Sequence, residues 1–67
     1  MLQLRVNGEE KNINTTMNLQ EFLDQQGLDS EVIIVELNSK VVNRLKYRET
    51  FLKDGDVLEI AQFMGGG

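Results

Sequence analysis

The chain ends in three consecutive glycines, Gly65, Gly66 and Gly67, and contains neither cysteine nor histidine. Glycine has no Cβ, so this segment is slim enough to enter a channel that excludes bulkier residues. The terminal carboxylate of Gly67 is therefore the best candidate reactive group, which the glycines would deliver to the active site of another protein. Chain ends are also commonly frayed, and glycine linkers are left by cloning, so the tail alone leaves both interpretations open.

Other groups that could do chemistry are few. Without cysteine there are no thiolate nucleophiles or thiolate metal ligands, and without histidine nothing ordinarily titrates near neutral pH. The acidic pairs Glu9-Glu10 and Asp54/Asp56 could bind a metal, but such pairs are more often a solvated edge and a turn. The terminal glycines precede no helix, unlike a phosphate-binding loop. We therefore expect no catalytic residue, no metal site and no bound cofactor, in a protein that is not itself an enzyme.

Composition narrows the class of partner. The chain has 67 residues with 7 Lys and Arg against 11 Asp and Glu, a net charge of -4. A domain of this size buries only about 60% of its unfolded surface, so a second domain or a deep cleft is not expected. The negative charge disfavours nucleic acid and anionic membranes and favours a partner with a basic docking face. With no apolar run near the ~20 residues of a membrane span, we expect a cytoplasmic protein, monomeric when free.

Hydrophobic patterning predicts the elements that would hold the tail. Apolar residues that alternate with polar ones predict strands at 2–6 and 57–63, and a β-branched run predicts a more buried strand at 32–37. Asn7-Gly8 predicts a tight hairpin turn into a polar edge strand at 9–14. A short strand at Val41 and Val42 precedes residues 43–53, which lack a clear period and predict an irregular or 3₁₀ connection.

One helix is predicted over residues 19–26. Asn18 can cap its first turn with Glu21 at the third helical position, and Met17 and Phe22 hold the positions of a hydrophobic staple. Gly27 can adopt the left-handed conformation that ends a helix, with Leu28 closing onto Leu23. This order of elements predicts an α+β protein of β-grasp architecture, with a mixed sheet wrapped around one helix. Residues 1–64 would form that domain, and residues 65–67 a flexible tail.

The alternation within the strands predicts which side chains face away from the helix. In the last strand Leu58 and Ile60 should face the helix, which leaves Ala61 and Phe63 on the open face of the sheet. The same alternation in the strand at 32–37 turns Val32 and Ile34 outward. Ile34, Ala61 and Phe63 would then form an exposed apolar patch, which is either a contact surface or is covered by neighbouring loops.

The chain resembles the ThiS-type sulfur carriers of thiamine biosynthesis, a ubiquitin-like β-grasp family. The resemblance covers the whole chain and depends on the order and spacing of pieces that are each weak alone. These are Asn38-Ser39-Lys40-Val41-Val42, the segment from Arg44 to Tyr47, the turn Lys53-Asp54-Gly55-Asp56, and the ending Phe63-Met64-Gly65-Gly66-Gly67. The family's tail often ends in two glycines, whereas this chain has three.

The resemblance implies a protein that carries sulfur on its own C-terminus. A partner of the ubiquitin-activating type, similar to ThiF, would use ATP to join the Gly67 carboxylate to AMP. Sulfur derived from cysteine, through a desulfurase or comparable donor, would replace AMP and leave a thiocarboxylate. A thiazole synthase similar to ThiG would then take the sulfur into the thiazole ring. Gly65 and Gly66 would thread the tail into these enzymes, while Phe63, Met64, Ala61 and Ile34 would contact the partners.

Three alternatives remain from the sequence. The small subunit of molybdopterin synthase has a related fold and terminal glycines and also donates sulfur, but it usually is longer. A ubiquitin-like modifier would use the same activated glycine to join lysines of target proteins. A noncovalent β-grasp binding module would have an inert tail, and removing Gly66 and Gly67 would leave its function intact.

Overall fold

The computed structural model describes residues 1–62, so the predicted tail Gly65–Gly67 and the neighbouring Phe63 and Met64 lie outside the described residues. Within residues 1–62 the chain forms five strands, one α-helix and two 3₁₀ segments. The strands are β1 (Leu2–Val6), β2 (Glu9–Ile13), β3 (Ile33–Leu37), β4 (Lys40–Val41) and β5 (Val57–Gln62). The helix α1 spans Leu19–Gln25, and the first and second 3₁₀ segments span Ser30–Val32 and Arg44–Glu49.

The strands form one mixed sheet in the order β2-β1-β5-β3-β4. β1 and β5 run parallel in its centre, and the other neighbours are antiparallel. The buried side chains of α1 join those of β1, β3 and β5 in one core, so the helix covers a single face of the sheet. The predicted β-grasp architecture is confirmed, and the strand that leads to the C-terminus occupies the central position.

The turn between β1 and β2 has the geometry that its sequence predicts. Asn7 and Gly8 both have positive φ, 50° and 84°, as a two-residue hairpin turn of the primed type requires. The turn sets the register in which Leu2 faces Ile13 and Val6 faces Glu9. β2 ends at Ile13, one residue before its predicted end.

Local sequence signals also fix both ends of α1. The Asn18 side chain accepts a hydrogen bond from the Glu21 N–H at 2.8 Å, and Glu21 Oε1 accepts one from the Asn18 N–H at 3.0 Å. At the other end, the Leu28 N–H donates to Leu23 O and the Gly27 N–H to Asp24 O, with Gly27 at φ 73°. This is the Schellman arrangement, in which a left-handed glycine lets the chain turn back onto the last helical carbonyls.

Val32 is the exception to the predicted strand pattern. It was expected to point outward from a strand beginning at residue 32, and that prediction is wrong. Asp29 caps a 3₁₀ turn through its bond from the Glu31 N–H, so Val32 belongs to the first 3₁₀ segment and packs against the core. β3 therefore begins at Ile33, and from there the alternation holds, with Ile33 and Val35 buried.

The core is small but continuous. Its fully buried members come from every layer of the fold: Leu4, Leu19, Phe22, Leu23, Val35, Tyr47, Leu52 and Leu58. Burying one such aliphatic or aromatic side chain stabilises the folded state by about 1.5–3 kcal/mol, which is a large fraction of the net stability of about 5–15 kcal/mol that a domain retains. In residues 1–62 there is no helix long and apolar enough to cross a membrane.

Candidate functional site

Two of the three residues of the predicted apolar patch lie on the open face of the sheet. Ile34 lies directly opposite Ala61 across the β3–β5 ladder. Ile34 is 39% exposed and Ala61 is also exposed, so no described loop covers either of them. The third predicted member of the patch, Phe63, and the predicted contact residue Met64 lie beyond the described residues.

Two carboxylates flank this patch. Glu36 on β3 lies directly opposite Glu59 on β5, and both side chains are exposed. Like charges opposite each other destabilise a sheet, and in residues 1–62 neither glutamate forms an ion pair. Val41 on β4 and Val57 on β5 extend the exposed apolar surface around them. The open face therefore combines apolar contact area with uncompensated negative charge next to the strand that leads to the tail.

Two asparagines hold β5 in place along its length. At its start, the Asn38 side chain accepts from the Val57 N–H at 2.9 Å and donates to Asp56 Oδ1 at 3.0 Å. Further along, Asn7 Oδ1 accepts from the Ile60 N–H at 2.7 Å and Asn7 Nδ2 donates to Ile60 O at 3.1 Å. Sequence reasoning identified Asn7 only as a turn residue, because its partner lies 53 positions away.

Glu10, Asp54 and Asp56 have the structural roles that are more common for such acidic pairs. Asp56 is buried and accepts from the Lys53 N–H at 2.8 Å as well as from Asn38, so it closes the turn before β5. Asp54 accepts from the Gln3 N–H at 2.7 Å, and Glu10 accepts from Gln3 Nε2 at 2.6 Å on the β2 edge. A groove between these residues lies beside the start of β5, away from its carboxyl end. In the part of the chain that the structure describes, no cluster of three or more acidic side chains is arranged to hold a metal ion.

A sequence model of the ThiS family matches residues 4–67, which include all but the first three residues of the chain. The chain belongs to the ThiS family. The crystal structure of the thiamine biosynthesis protein ThiS from Geobacter metallireducens has the same fold, with a TM-score of 0.86 and 36% sequence identity. The similarity covers 98% of this chain and 100% of that one.

Two relatives place the family fold in different contexts. The sulfur carrier protein ThiS of Bacillus subtilis is 37% identical over 65 residues, which are 96% of this chain and 98% of the relative. A thiazole synthase of Paramagnetospirillum magneticum is 39% identical over 66 residues, or 98% of this chain. The present chain spans only 20% of that synthase's length, so in the relative a region of this kind is part of a larger protein.

Proposed function

We propose that this protein is a sulfur carrier for thiazole formation in thiamine biosynthesis, and that its reactive group is the Gly67 carboxylate. The observation that carries the proposal is membership of the ThiS family over residues 4–67. The similarity to the Bacillus subtilis sulfur carrier over nearly the full length of both chains supports it further. The protein itself would be a co-substrate rather than an enzyme, with ATP bound by its activating partner.

The proposed chemistry converts a poor electrophile into a sulfur donor. A carboxylate oxygen of Gly67 attacks the α-phosphorus of ATP on the activating enzyme, which forms an acyl adenylate and releases pyrophosphate. A persulfide sulfur, derived from cysteine, then attacks the acyl carbon and AMP leaves. A thiol then attacks the donor's sulfur in the resulting acyl disulfide, so the S–S bond breaks, the thiol and the donor leave joined as a disulfide, and the thiocarboxylate remains on Gly67. All of this requires ATP and a cysteine-derived donor, which is why we place the protein in the cytoplasm.

The open face of the sheet would dock the carrier on its partners. Ile34 and Ala61 offer apolar contact area, and Glu36 and Glu59 need positive charge nearby once water is excluded. A partner surface that is apolar in its centre and carries basic side chains would satisfy both. Phe63 and Met64 would continue the contact toward the active site, where Gly65 and Gly66 would thread the tail.

The thiazole synthase is the acceptor that the comparisons favour. The relatives in Paramagnetospirillum magneticum and Magnetococcus marinus that are named thiazole synthase each contain a region similar to almost the whole of this chain. Two functions joined in one polypeptide commonly act in succession, so a ThiG-like synthase is the proposed partner for the loaded carrier. A ThiF-like adenylyltransferase is the proposed activating enzyme.

Intact-protein mass spectrometry tests the proposal directly. The carrier is incubated with ATP, cysteine, a cysteine desulfurase and the candidate activating enzyme, and a matched sample lacks ATP. We expect a mass increase equal to the exchange of one oxygen for sulfur, mapped to Gly67, only when ATP is present. If neither the adenylate nor the thiocarboxylate forms with enzymes that activate a known carrier, that result would contradict the proposal. It would favour a noncovalent binding module.

A variant extended by one alanine after Gly67 sharpens the same test. It moves the carboxylate and places a Cβ on the reacting residue, so we expect adenylation to fail while thermal stability is unchanged. Pyrophosphate release measures the first and circular dichroism the second. Normal activation of the extended variant would rule out a reaction at the terminal glycine.

A further inference from the structure

β5 extends beyond its neighbour β1 at the end that leads to the tail. β1 stops at Val6 because the chain turns at Asn7 and Gly8, whereas β5 continues to Gln62. The parallel pairing of the two strands ends with Val6 opposite Leu58. On that side, the last part of β5 therefore has no strand beside it among the described residues.

The side chain of Asn7 takes the place of the missing strand. The Asn7 N–H donates to Leu58 O at 2.9 Å, and the side-chain amide then bonds both the N–H and the carbonyl of Ile60. A carboxamide has one acceptor oxygen and N–H donors, as a peptide group does. The Asn7 side chain thus acts as one more peptide of the β1 ladder, although the backbone has already turned away.

The turn itself does not require this side chain. Glycine adopts the φ of 50° at residue 7 even more readily than asparagine. Without the amide, however, the Ile60 N–H and carbonyl would lose their partners on the β1 side. The terminal part of β5 would then be held mainly by its pairs with β3, from Ile33↔Gln62 to Val35↔Ile60.

We propose that Asn7 is a positioning residue for delivery of the carrier's carboxyl end, an inference that depends on the proposed function. Five residues follow Gln62 in the sequence, so the Gly67 carboxylate lies within about 17 Å of Gln62. When β5 opens from its end back to Ile60, which the loss of the Asn7 bonds favours and which also breaks the last pairs with β3, nine residues, 59–67, follow the last held residue instead of five. The effective concentration of a tethered group falls roughly as the −3/2 power of tether length, which is about a two- to threefold loss here.

This mechanism makes a specific kinetic prediction. Docking through the open sheet face comes first and does not depend on Asn7, whereas insertion of the tail into the active site follows docking. Loosening the end of β5 therefore lowers kcat for adenylation, by about two- to threefold at most because the pairs with β3 remain, and leaves KM for the carrier unchanged. A loss of folded carrier alone would leave kcat unchanged and raise the apparent KM, because it lowers the concentration of active carrier.

Asn7→Gly and Asn38→Gly form the test pair. Both asparagines have positive φ and bond the backbone of β5, but Asn38 acts at Val57, far from the tail. Pyrophosphate release with the ThiF-like enzyme and ATP gives kcat and KM, and hydrogen exchange followed by NMR gives the protection of the Ile60 amide. We expect Asn7→Gly to lower kcat and to speed exchange at Ile60, and Asn38→Gly to leave kcat unchanged.

Asn7→Asp serves as a second variant, because it keeps the acceptor for the Ile60 N–H and should retain part of the kcat. Faster exchange at Ile60 in Asn7→Gly with a wild-type kcat would overturn the inference, as would equal kcat losses in Asn7→Gly and Asn38→Gly. Failure of the wild-type chain to be adenylated would instead contradict the proposed function, so the two failures are distinguishable.

Discussion

The fold perturbs the ionisation of Tyr47. Its ring is only 2% exposed, in a core position supplied by the second 3₁₀ segment. Burial raises the pKa of its hydroxyl above the usual value of 10.0, and the positive charge of Arg44 opposes part of that increase. The neutral form is therefore the one that the folded protein favours.

This raised pKa predicts a loss of stability at alkaline pH. The folded state binds the tyrosine proton more tightly than the unfolded chain, so the free energy of unfolding should fall as pH rises above about 10. Below that pH both states are protonated and the contribution is constant. Denaturant unfolding of the wild type and of Tyr47→Phe between pH 8 and 11 measures how their free energies of unfolding differ. Because both proteins contain the same lysines, the comparison removes the effect of lysine titration. A difference between the two proteins that does not change with pH would contradict the prediction.

At the scale of the elements, local and distant signals differ in how well the sequence reveals them. The ends of α1 were predictable because Asn18, Glu21 and Gly27 act on backbone groups within one turn of the chain. The place of Val32 in the first 3₁₀ segment was not predictable, because its β-branched side chain fits a strand and a 3₁₀ core position equally well. The hydrogen bonds between the Asn7 side chain and Ile60 form only because β1 and β5 are neighbours, and no local sequence pattern encodes that pairing.

The N-cap of α1 gives a prediction at this scale. Asn18→Ala removes the acceptor for the Glu21 N–H and should lower the free energy of unfolding by about 1 kcal/mol. In a domain of this size that loss lowers Tm by roughly 4–8 °C. Thermal denaturation followed by circular dichroism measures it, with Gln25→Ala at an exposed helical position as the control. Equal Tm values for the two variants would mean that the cap adds no stability.

Over the whole molecule, charge is divided unevenly. Five of the seven basic residues fall between Lys40 and Lys53, and in that segment Glu49 is the lone acidic residue. The second 3₁₀ segment carries much of this positive charge and packs beside α1, on the opposite side of the sheet from Glu36 and Glu59. A partner with a basic docking surface would thus be attracted to the open face and repelled from the second 3₁₀ segment.

A charge placed in the apolar patch should therefore impair docking without unfolding the domain. Ile34→Asp removes central contact area and should raise KM for adenylation by about 5- to 30-fold, as loss of an interface anchor does. Leu45→Asp is the matched control, since Leu45 is 80% exposed but lies in the second 3₁₀ segment. Phe63→Asp should behave like Ile34→Asp while the helical circular dichroism signal is retained. Equal KM values for Ile34→Asp and Leu45→Asp would mean that the docking surface lies elsewhere. If Phe63→Asp unfolds the domain, Phe63 belongs to the core and not to the docking surface.

The central place of β5 has a mechanical consequence. The strand that leads to the tail is flanked by β1 on one side and β3 on the other. A partner that pulls on the C-terminus applies force along β5, parallel to the strand axis and across the direction of the ladder hydrogen bonds. The five residue pairs with β3 and the shorter pairing with β1 then carry the load in shear, instead of opening one bond at a time from an edge. The domain should thus stay folded when its C-terminus is pulled.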